Sequence, residues 1–385
     1  MKHLWALAGF LCVIISYLPE VQAAPLKDTE LVRVRVSSFQ NKVRLSGTGL
    51  RFQNLANPYR AVAIPQNSGV EVRLLEQNGK KMWALRLSNS EQEHLFPQKY
   101  LLIQGQDIQI GAQSLPSRVM LSAPTTKTID VIGVLPLNDY LVGVLSSEMP
   151  LTWPMETLKA QAVAARSYTL ALLNERQNKA YHVESSILDQ VFKHVDGEDD
   201  DAKTRRAREA VAATDGVKLF DNHQKVLKAF YHADCGGKTA LAKDVWNSGP
   251  NMGVATDSSC PTNPKARWTF AIDKAELQSR LHLQGLLDLT LKRITNDTRV
   301  KDVRLAMNES QQKVMSVNDF RQNLGFQNIR SSIFDVKEEN GKYVFQGKGY
   351  GHGVGLCQWG SRALGMRGMN YAQILKHYYP LASLN

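Results

Sequence analysis

The 385-residue chain reads as an α+β protein, with a mixed sheet-and-helix core preceded by an N-terminal β-rich accessory region. Three observations carry that reading. Residues 31–36, Leu-Val-Arg-Val-Arg-Val, alternate apolar and basic side chains with the two-residue period of a half-buried strand. After Pro154, apolar or small residues recur at Leu158, Ala162, Ala165, Thr169 and Leu172, the spacing of one helical face. Near the C-terminus, FDVKEENGKYVFQG places Asn340-Gly341 between two strand-like runs, the sign of a hairpin. No tandem repeat or low-complexity linker interrupts the pattern.

Along the chain, Lys2 and His3 precede an apolar run, Leu4 to Leu18, and then Val21-Gln22-Ala23. That order is a secretory signal peptide, residues 1–23, cleaved after Ala23. The run falls short of the roughly 20 apolar residues of a membrane span. Leu11 stands before Cys12 where a lipoprotein signal has a small residue. An exported protein is expected, in a periplasm or at an extracellular wall, with no stable membrane insertion after cleavage.

Residues 24–115 form the expected β-rich domain, since VEVRLLE and MWALRLS repeat the strand pattern around the turn formers Asn78-Gly79. No catalytic constellation occurs there. Residues 116–385 hold the core. TIDVIGVLPLNDYLVGVLSSEMP predicts a strand, a turn over residues 136–139 and a short amphipathic segment ending at Glu148. Pro154 suits the first turn of the long helix that follows, and Lys159, Arg166 and Tyr168 lie off its apolar stripe. A second helix is expected over residues 204–213, ended by Gly216. The acidic DGEDDD before it lacks the spacing of a calcium loop and reads as solvated. GVKLF and KVLKAFYHA read as strands, with DCGGKT after them. Residues 265–297 read as an excursion containing a helical DKAELQSRLHL. RVKDVRLAM and KVMSVNDFRQNLG give a strand pair and a short helix, and NYAQILKHYYP closes the chain as a helix.

The 47 basic residues against 36 acidic ones leave a formal charge of +11. Such a balance suits a polyanionic partner, or simply a solvated basic surface. Export turns the expectation from nucleic acid toward wall polymers or anionic membrane surfaces.

Several residues have chemistry to offer. Glu148, in SSEMP beside Met149 and near Trp153, is either an ordinary exposed glutamate or a partly desolvated carboxyl suited to general acid catalysis. Arg166, Ser167 and Tyr168 put a cation and two hydroxyls on one helical turn. GGKT at residues 236–239 lacks the fuller phosphate-loop spacing and reads as a tight turn. In GKGYGHGVGLCQWGS glycine occupies every odd position from 347 to 355. As a strand, that run would have one bare face, open to a ligand or another backbone. His352, on the other face, reads as a structural histidine or a site residue. Cys235 and Cys260, both among turn formers, are the expected disulfide, with Cys357 left over. His232, Cys235, Cys260, His352 and Cys357 are the types that hold zinc, but their spacing does not require it, and no metal or cofactor is expected.

Four blocks together resemble the sporulation stage II protein D family, which shares its domain with the amidase enhancers of bacterial cell-wall metabolism. They are NDYLVGVLSSEMPLTWPMETLKAQAVAARSYTLAL, FYHADCGGKTALAKDVW, FRQNLGFQNIRSSIFDV and GKGYGHGVGLCQWGSRALGMRGMNYAQILKHYYP, within residues 120–380. The resemblance implies a peptidoglycan lytic transglycosylase that cuts between N-acetylmuramic acid and N-acetylglucosamine and leaves a 1,6-anhydro product. It implies Glu148 as the catalytic acid/base, and Arg166, Tyr168, Lys238, His352 and Gln358 as cleft-lining, substrate-binding residues. The implied partners are glycan strands, expected to be stripped of peptides, and a wall amidase. Some family members bind zinc through a Cys/His cluster downstream of the long helix. The matching YHVESSILDQVFKH has no cysteine, which argues against that site. Ser361 replaces the usual alanine. A non-catalytic wall binder that enhances an amidase is the alternative.

Overall fold

The computed structural model describes residues 31–54, 57–65, 69–77, 79–88, 93–97, 99–195, 201–257 and 263–385. The expected signal peptide, Asn78 and Cys260 lie outside them.

The first strands are β1 (Leu31–Gln40), β2 (Lys42–Asn54), β3 (Asn57–Ala63), β4 (Val70–Gln77), β5 (Lys80–Leu87) and β6 (Glu93–Phe96). Next come β7 (Tyr100–Ile110), β8 (Gln113–Ser114), β9 (Arg118–Ser122), β10 (Thr128–Pro136) and β11 (Val183–Glu184). They form one sheet in the order β11-β1-β10-β9-β7-β2-β4-β5-β6, with β3 on β2 and β8 on β7. β1 runs antiparallel to β10 and parallel to β11, so strands from both sides of residue 115 share the sheet. The alternation in β1 works as expected. Val32 and Val34 are fully buried, while Arg33 reaches His182 and Arg35 reaches Glu184 from the other face.

β10 passes directly into α1 (Leu137–Glu148), so the expected intervening turn is the first turn of the helix. α2 (Met155–Glu175) starts after Pro154, and α3 (Ala202–Ala212) is capped by the Asp201 carboxylate, which accepts from the Lys203 and Thr204 amides. One acid of the acidic run is therefore a helix cap. The single apolar stripe expected on α2 understates its burial. Every residue from Ala160 to Thr169 is buried, because other helices pack around it. Alanine at positions 160, 162, 164 and 165 keeps the helix slim enough for this.

The expected strands GVKLF and KVLKAFYHA shrink to β12 (Leu219–Phe220) and β13 (Tyr231–His232), followed by α4 (Ala242–Trp246). The expected excursion is ordered, contains its expected helix, and forms one body with the strand pair, short helix and hairpin expected after it. β14 (Arg267–Asp273), α5 (Lys274–Arg280), β15 (Asp288–Arg293), β16 (Val300–Ala306), β17 (Gln312–Ser316), α6 (Val317–Leu324), β18 (Phe334–Glu339) and β19 (Lys342–Lys348) form two three-stranded sheets. They enclose their own core, which includes Trp268, Phe320, Phe334 and Phe345. The hairpin between β18 and β19 turns at Asn340-Gly341, both at positive φ, as expected. β20 (Leu356–Cys357), α7 (Gln358–Met366), α8 (Tyr371–Tyr378) and β21 (Ser383–Leu384) complete the chain; β12 pairs with β21, and β13 pairs in parallel with β20.

The glycine run is not the strand that its alternation suggested. β19 stops at Lys348, and Gly349, Gly351, Gly353 and Gly355 have φ of 84°, 110°, 85° and 73°. What crowds them is protein. A Cβ at Gly355 would lie 2.0 Å from the Phe230 carbonyl oxygen, and one at Gly351 would lie 2.8 Å from His232 Cβ. The bare backbone admits the crossing chain at residues 230–236.

Candidate active site

Glu148 is the last residue of α1, and Met149 turns to extended geometry before Pro150, which cannot continue a helix. The segment from 181 to 195 packs directly on this helix. Gly143 makes room for it, since a Cβ there would lie 2.5 Å from both the Lys193 carbonyl oxygen and the Phe192 ring. Phe192 stacks on Tyr140 with ring centroids 5.1 Å apart. That close approach brings the Val191 amide to Glu148 Oε1, donating at 2.9 Å.

The carboxyl is half-buried. Desolvation pushes its pKa above the ordinary glutamate value, while the Val191 amide and the Gln358 side chain pull the other way. Gln358 is the buried first residue of α7, and its Nε2 lacks a full hydrogen bond. It therefore approaches Glu148 more loosely than Val191 does. Burial first, and then the charge of Glu148, raise the Tyr231 pKa. Burial, Asp189 and then Glu148 raise that of Tyr140.

A polar network behind the carboxyl fixes the 181–195 segment. Gln190 Oε1 accepts from Tyr140 at 3.0 Å and from Thr169 at 2.8 Å. Asp189 pairs with Arg176 at 2.6 Å and accepts from the Glu184 amide at 2.9 Å. Its carboxylate is thus committed to a cation and to the backbone. His182 receives Arg33 Nε at 3.1 Å; burial, then the Arg33 charge, lowers its pKa to about 4.

The expected site residues divide. Gln358 is beside Glu148. Tyr168 is buried one step further out, its ring edge-on to Tyr231 at 6.5 Å. His352 lies between Trp246 and His232, 5.1 and 5.4 Å away by ring centroid, and its Nδ1 accepts from the Val354 amide at 3.0 Å. Burial, then His232, push its pKa well below the ordinary histidine value, while the Tyr231 backbone opposes them. Lys238 is exposed, and its carbonyl accepts from Arg299. Arg166 is 2 % exposed, and its guanidinium donates to the Thr214, Val217 and Val211 carbonyls, tying α2 to the end of α3. In this structure it clamps helices together.

Tyr231 and the Val191 amide are what the residue patterns missed. Tyr231 sits in an aromatic pair, Phe230-Tyr231, read there as strand. No residue type marks a backbone amide in advance. Cys260 lies outside the described residues, so its pairing with Cys235 does too. Cys235 is found beside Cys357 and His232.

The stage II sporulation protein family model matches residues 125–220, which include Glu148, Arg166 and Tyr168. A domain of unknown function matches residues 254–355, covering most of the inserted body. Over 281 residues the chain is 30% identical to stage II sporulation protein D of Bacillus amyloliquefaciens, covering 70% of this chain and 80% of that one. It is 31% identical over 264 residues to an uncharacterized protein of Brachyspira hyodysenteriae, covering 68% and 69%. With the amidase enhancer of Bacillus subtilis it shares 26% over 296 residues, 63% of this chain but 40% of that one. The chain belongs to the stage II sporulation protein D family. Among the described residues no helix is long and apolar enough to cross a membrane.

Proposed function

We propose that the protein is an exported peptidoglycan lytic transglycosylase acting on glycan strands stripped of their peptides, with Glu148 as the single acid and base. One observation carries the reading most: a half-buried carboxyl whose pKa is raised by desolvation and whose position is fixed by the Val191 amide. Among the described residues, the groups that shift it include no second carboxylate. Ordinary glycoside hydrolysis uses two carboxyl groups. A lytic cut uses one group twice. Glu148 donates its proton to the glycosidic oxygen as the bond to muramic acid C1 breaks. The resulting carboxylate then accepts the proton of the muramic acid 6-hydroxyl as that oxygen bonds to C1. Holding the nucleophile within the substrate supplies a high effective concentration. Gln358 steadies the carboxylate stage. Tyr231 contributes the desolvation, with Tyr168 and His352 behind it. Lys238 is free to meet a polar or anionic part of the strand.

A second reading, a non-catalytic glycan binder that enhances a wall amidase, is favoured by the printed name of the Bacillus subtilis relative. Purified glycan strands, with and without stem peptides, separate the two. Mature protein should release 1,6-anhydro-muramic products seen by mass spectrometry, and Glu148→Gln should lower the rate by about 10²–10⁴-fold while leaving binding intact. Binding without product from either protein would replace the enzyme with the binder.

A further inference from the structure

Behind the strand pair that frames Glu148 lies a second cluster with its own chemistry. β13 and β20 pair Tyr231 with Leu356 and His232 with Cys357. Successive strand residues face opposite sides, so His232 and Cys357 share a face opposite Tyr231. Cys235, two residues beyond β13, joins them. The ligand atoms of His232, Cys235 and Cys357 all lie within 4.8 Å of one another, and all three residues are buried. We propose that these three residues bind a zinc ion that clips β13 to β20.

The donor set and its surroundings suit that ion. Two thiolates and a neutral imidazole balance a divalent charge, and sulfur with imidazole is the preferred company of zinc. Tetrahedral bonds of about 2.3 Å to sulfur and 2.0–2.1 Å to nitrogen put neighbouring ligand atoms about 3.5–3.8 Å apart. Contraction by at most about 1.3 Å, from separations within 4.8 Å, converts the observed cluster to that geometry. Each donor is also oriented from outside, as metal ligands are. His232 Nδ1 faces the Val354 carbonyl at 3.1 Å, which makes Nδ1 the N–H and turns Nε2 to the cluster as acceptor. Cys357 Sγ accepts from the Cys235 and Gly360 amides at 3.3 and 3.4 Å, and Cys235 Sγ accepts from the Gly237 amide at 3.4 Å. Amide donors at a helix N-terminus favour the thiolate, and Cys357 is the N-cap of α7. The buried Asp257 carboxylate, 3.8 Å from Cys235 Sγ and bonded to Tyr378 at 2.6 Å, adds an oxygen at the rim. Zinc binding expels the two thiol protons. No electrons move.

The clip would act on the site without touching substrate, because Tyr231 precedes His232 and Gln358 follows Cys357. The site is separate from the stretch 181–194, and its test does not depend on the reaction assigned to Glu148. Mature full-length protein, purified without chelator and freed of any histidine tag, is analysed for metal and intact mass. We expect about one zinc per chain. Exchange with cobalt(II) should give an intense thiolate-to-cobalt charge-transfer band and visible tetrahedral bands, with the charge-transfer band weakened in Cys357→Ser. Chelation should lower the melting temperature and expose two more thiols to alkylation. Should the variant not fold, the wild-type cobalt spectrum and thiol count decide alone. Substoichiometric zinc with no cobalt band would overturn the proposal. So would a peptide linking Cys235 by disulfide to Cys357 or to Cys260.

Discussion

Replacing Gly355 with alanine tests whether the glycine run exists to admit the crossing backbone. Gly216 supplies the control, because its φ of 73° equals that of Gly355 while a Cβ there would meet nothing within 4 Å. Both substitutions force alanine into left-handed geometry, at about 1–2 kcal/mol each. Only at Gly355 does the new Cβ land 2.0 Å from the Phe230 carbonyl oxygen. Ordinary contact needs more than 1 Å of retreat by that chain. The oxygen it would move accepts from the Leu356 amide at 3.1 Å and from the Tyr379 hydroxyl at 2.7 Å. Each such bond contributes about 0.5–1.5 kcal/mol. Gly355→Ala should therefore cost about 2–5 kcal/mol in all and Gly216→Ala about 1–2 kcal/mol. Urea unfolding with a common slope reads the gap of about 1–3 kcal/mol directly. Equal losses, within about 0.5 kcal/mol, would refute the argument that close backbone approach is what requires glycine at 355.

Two further outcomes follow from the site. Gln358 favours the ionised form of Glu148, so Gln358→Leu should raise the carboxyl pKa and move the alkaline fall of kcat/KM to higher pH, by less than the loss of a full bond to a charged group would, since the contact is loose. A shift toward lower pH, or none with the fold intact, would remove Gln358 from the carboxylate's surroundings. His182 is held neutral against Arg33, with a folded pKa of about 4. The unfolded chain binds its proton first, so stability should fall as pH drops from about 6.5 toward 4, by up to about 1.4 kcal/mol per unit. His182→Gln should flatten that slope in melting temperatures taken across the range, and an unchanged slope would assign acid lability elsewhere.

What could be read from residues alone was governed by short-range patterning. The β1 alternation, the start of α2 at Pro154 and the Asn340-Gly341 hairpin were legible, because each is specified within a few positions. Glu148 stood out only through its motif, and its surroundings were not legible. Its desolvation depends on the 181–195 segment and on Gln358, which lies far along the chain. Arg166 shows the opposite failure. Its place off the α2 stripe gave no sign of burial, but α3 covers that face and, with the residues after it, supplies the carbonyls that its guanidinium needs. The glycine run misled for a related reason. Alternation of residue type mimics the strand period, while the cause of the glycines is positive φ and a neighbour over a hundred residues away. In the inserted body the helix, strand pair, short helix and hairpin were legible one by one, but nothing local showed that they close around one core with β14 and β15.

The pairing of β13 with β20 also joins two stretches of chain that the inserted body separates in sequence. Arg267 and Lys348 are register partners in adjacent antiparallel strands, so the inserted body leaves and rejoins the rest of the chain at neighbouring points. Its core is its own. Loop closure costs only about 0.6 kcal/mol for each doubling of length, so loops of the body can be lengthened or shortened at small energetic penalty, while Arg299 braces it to the Cys235 and Lys238 carbonyls. The β13–β20 pair cannot be altered in this way, since it sets Tyr231 and Gln358 beside Glu148. The protein is thus built like a tool with a braced head: its own core lets the head vary, and the bracing holds it to the handle.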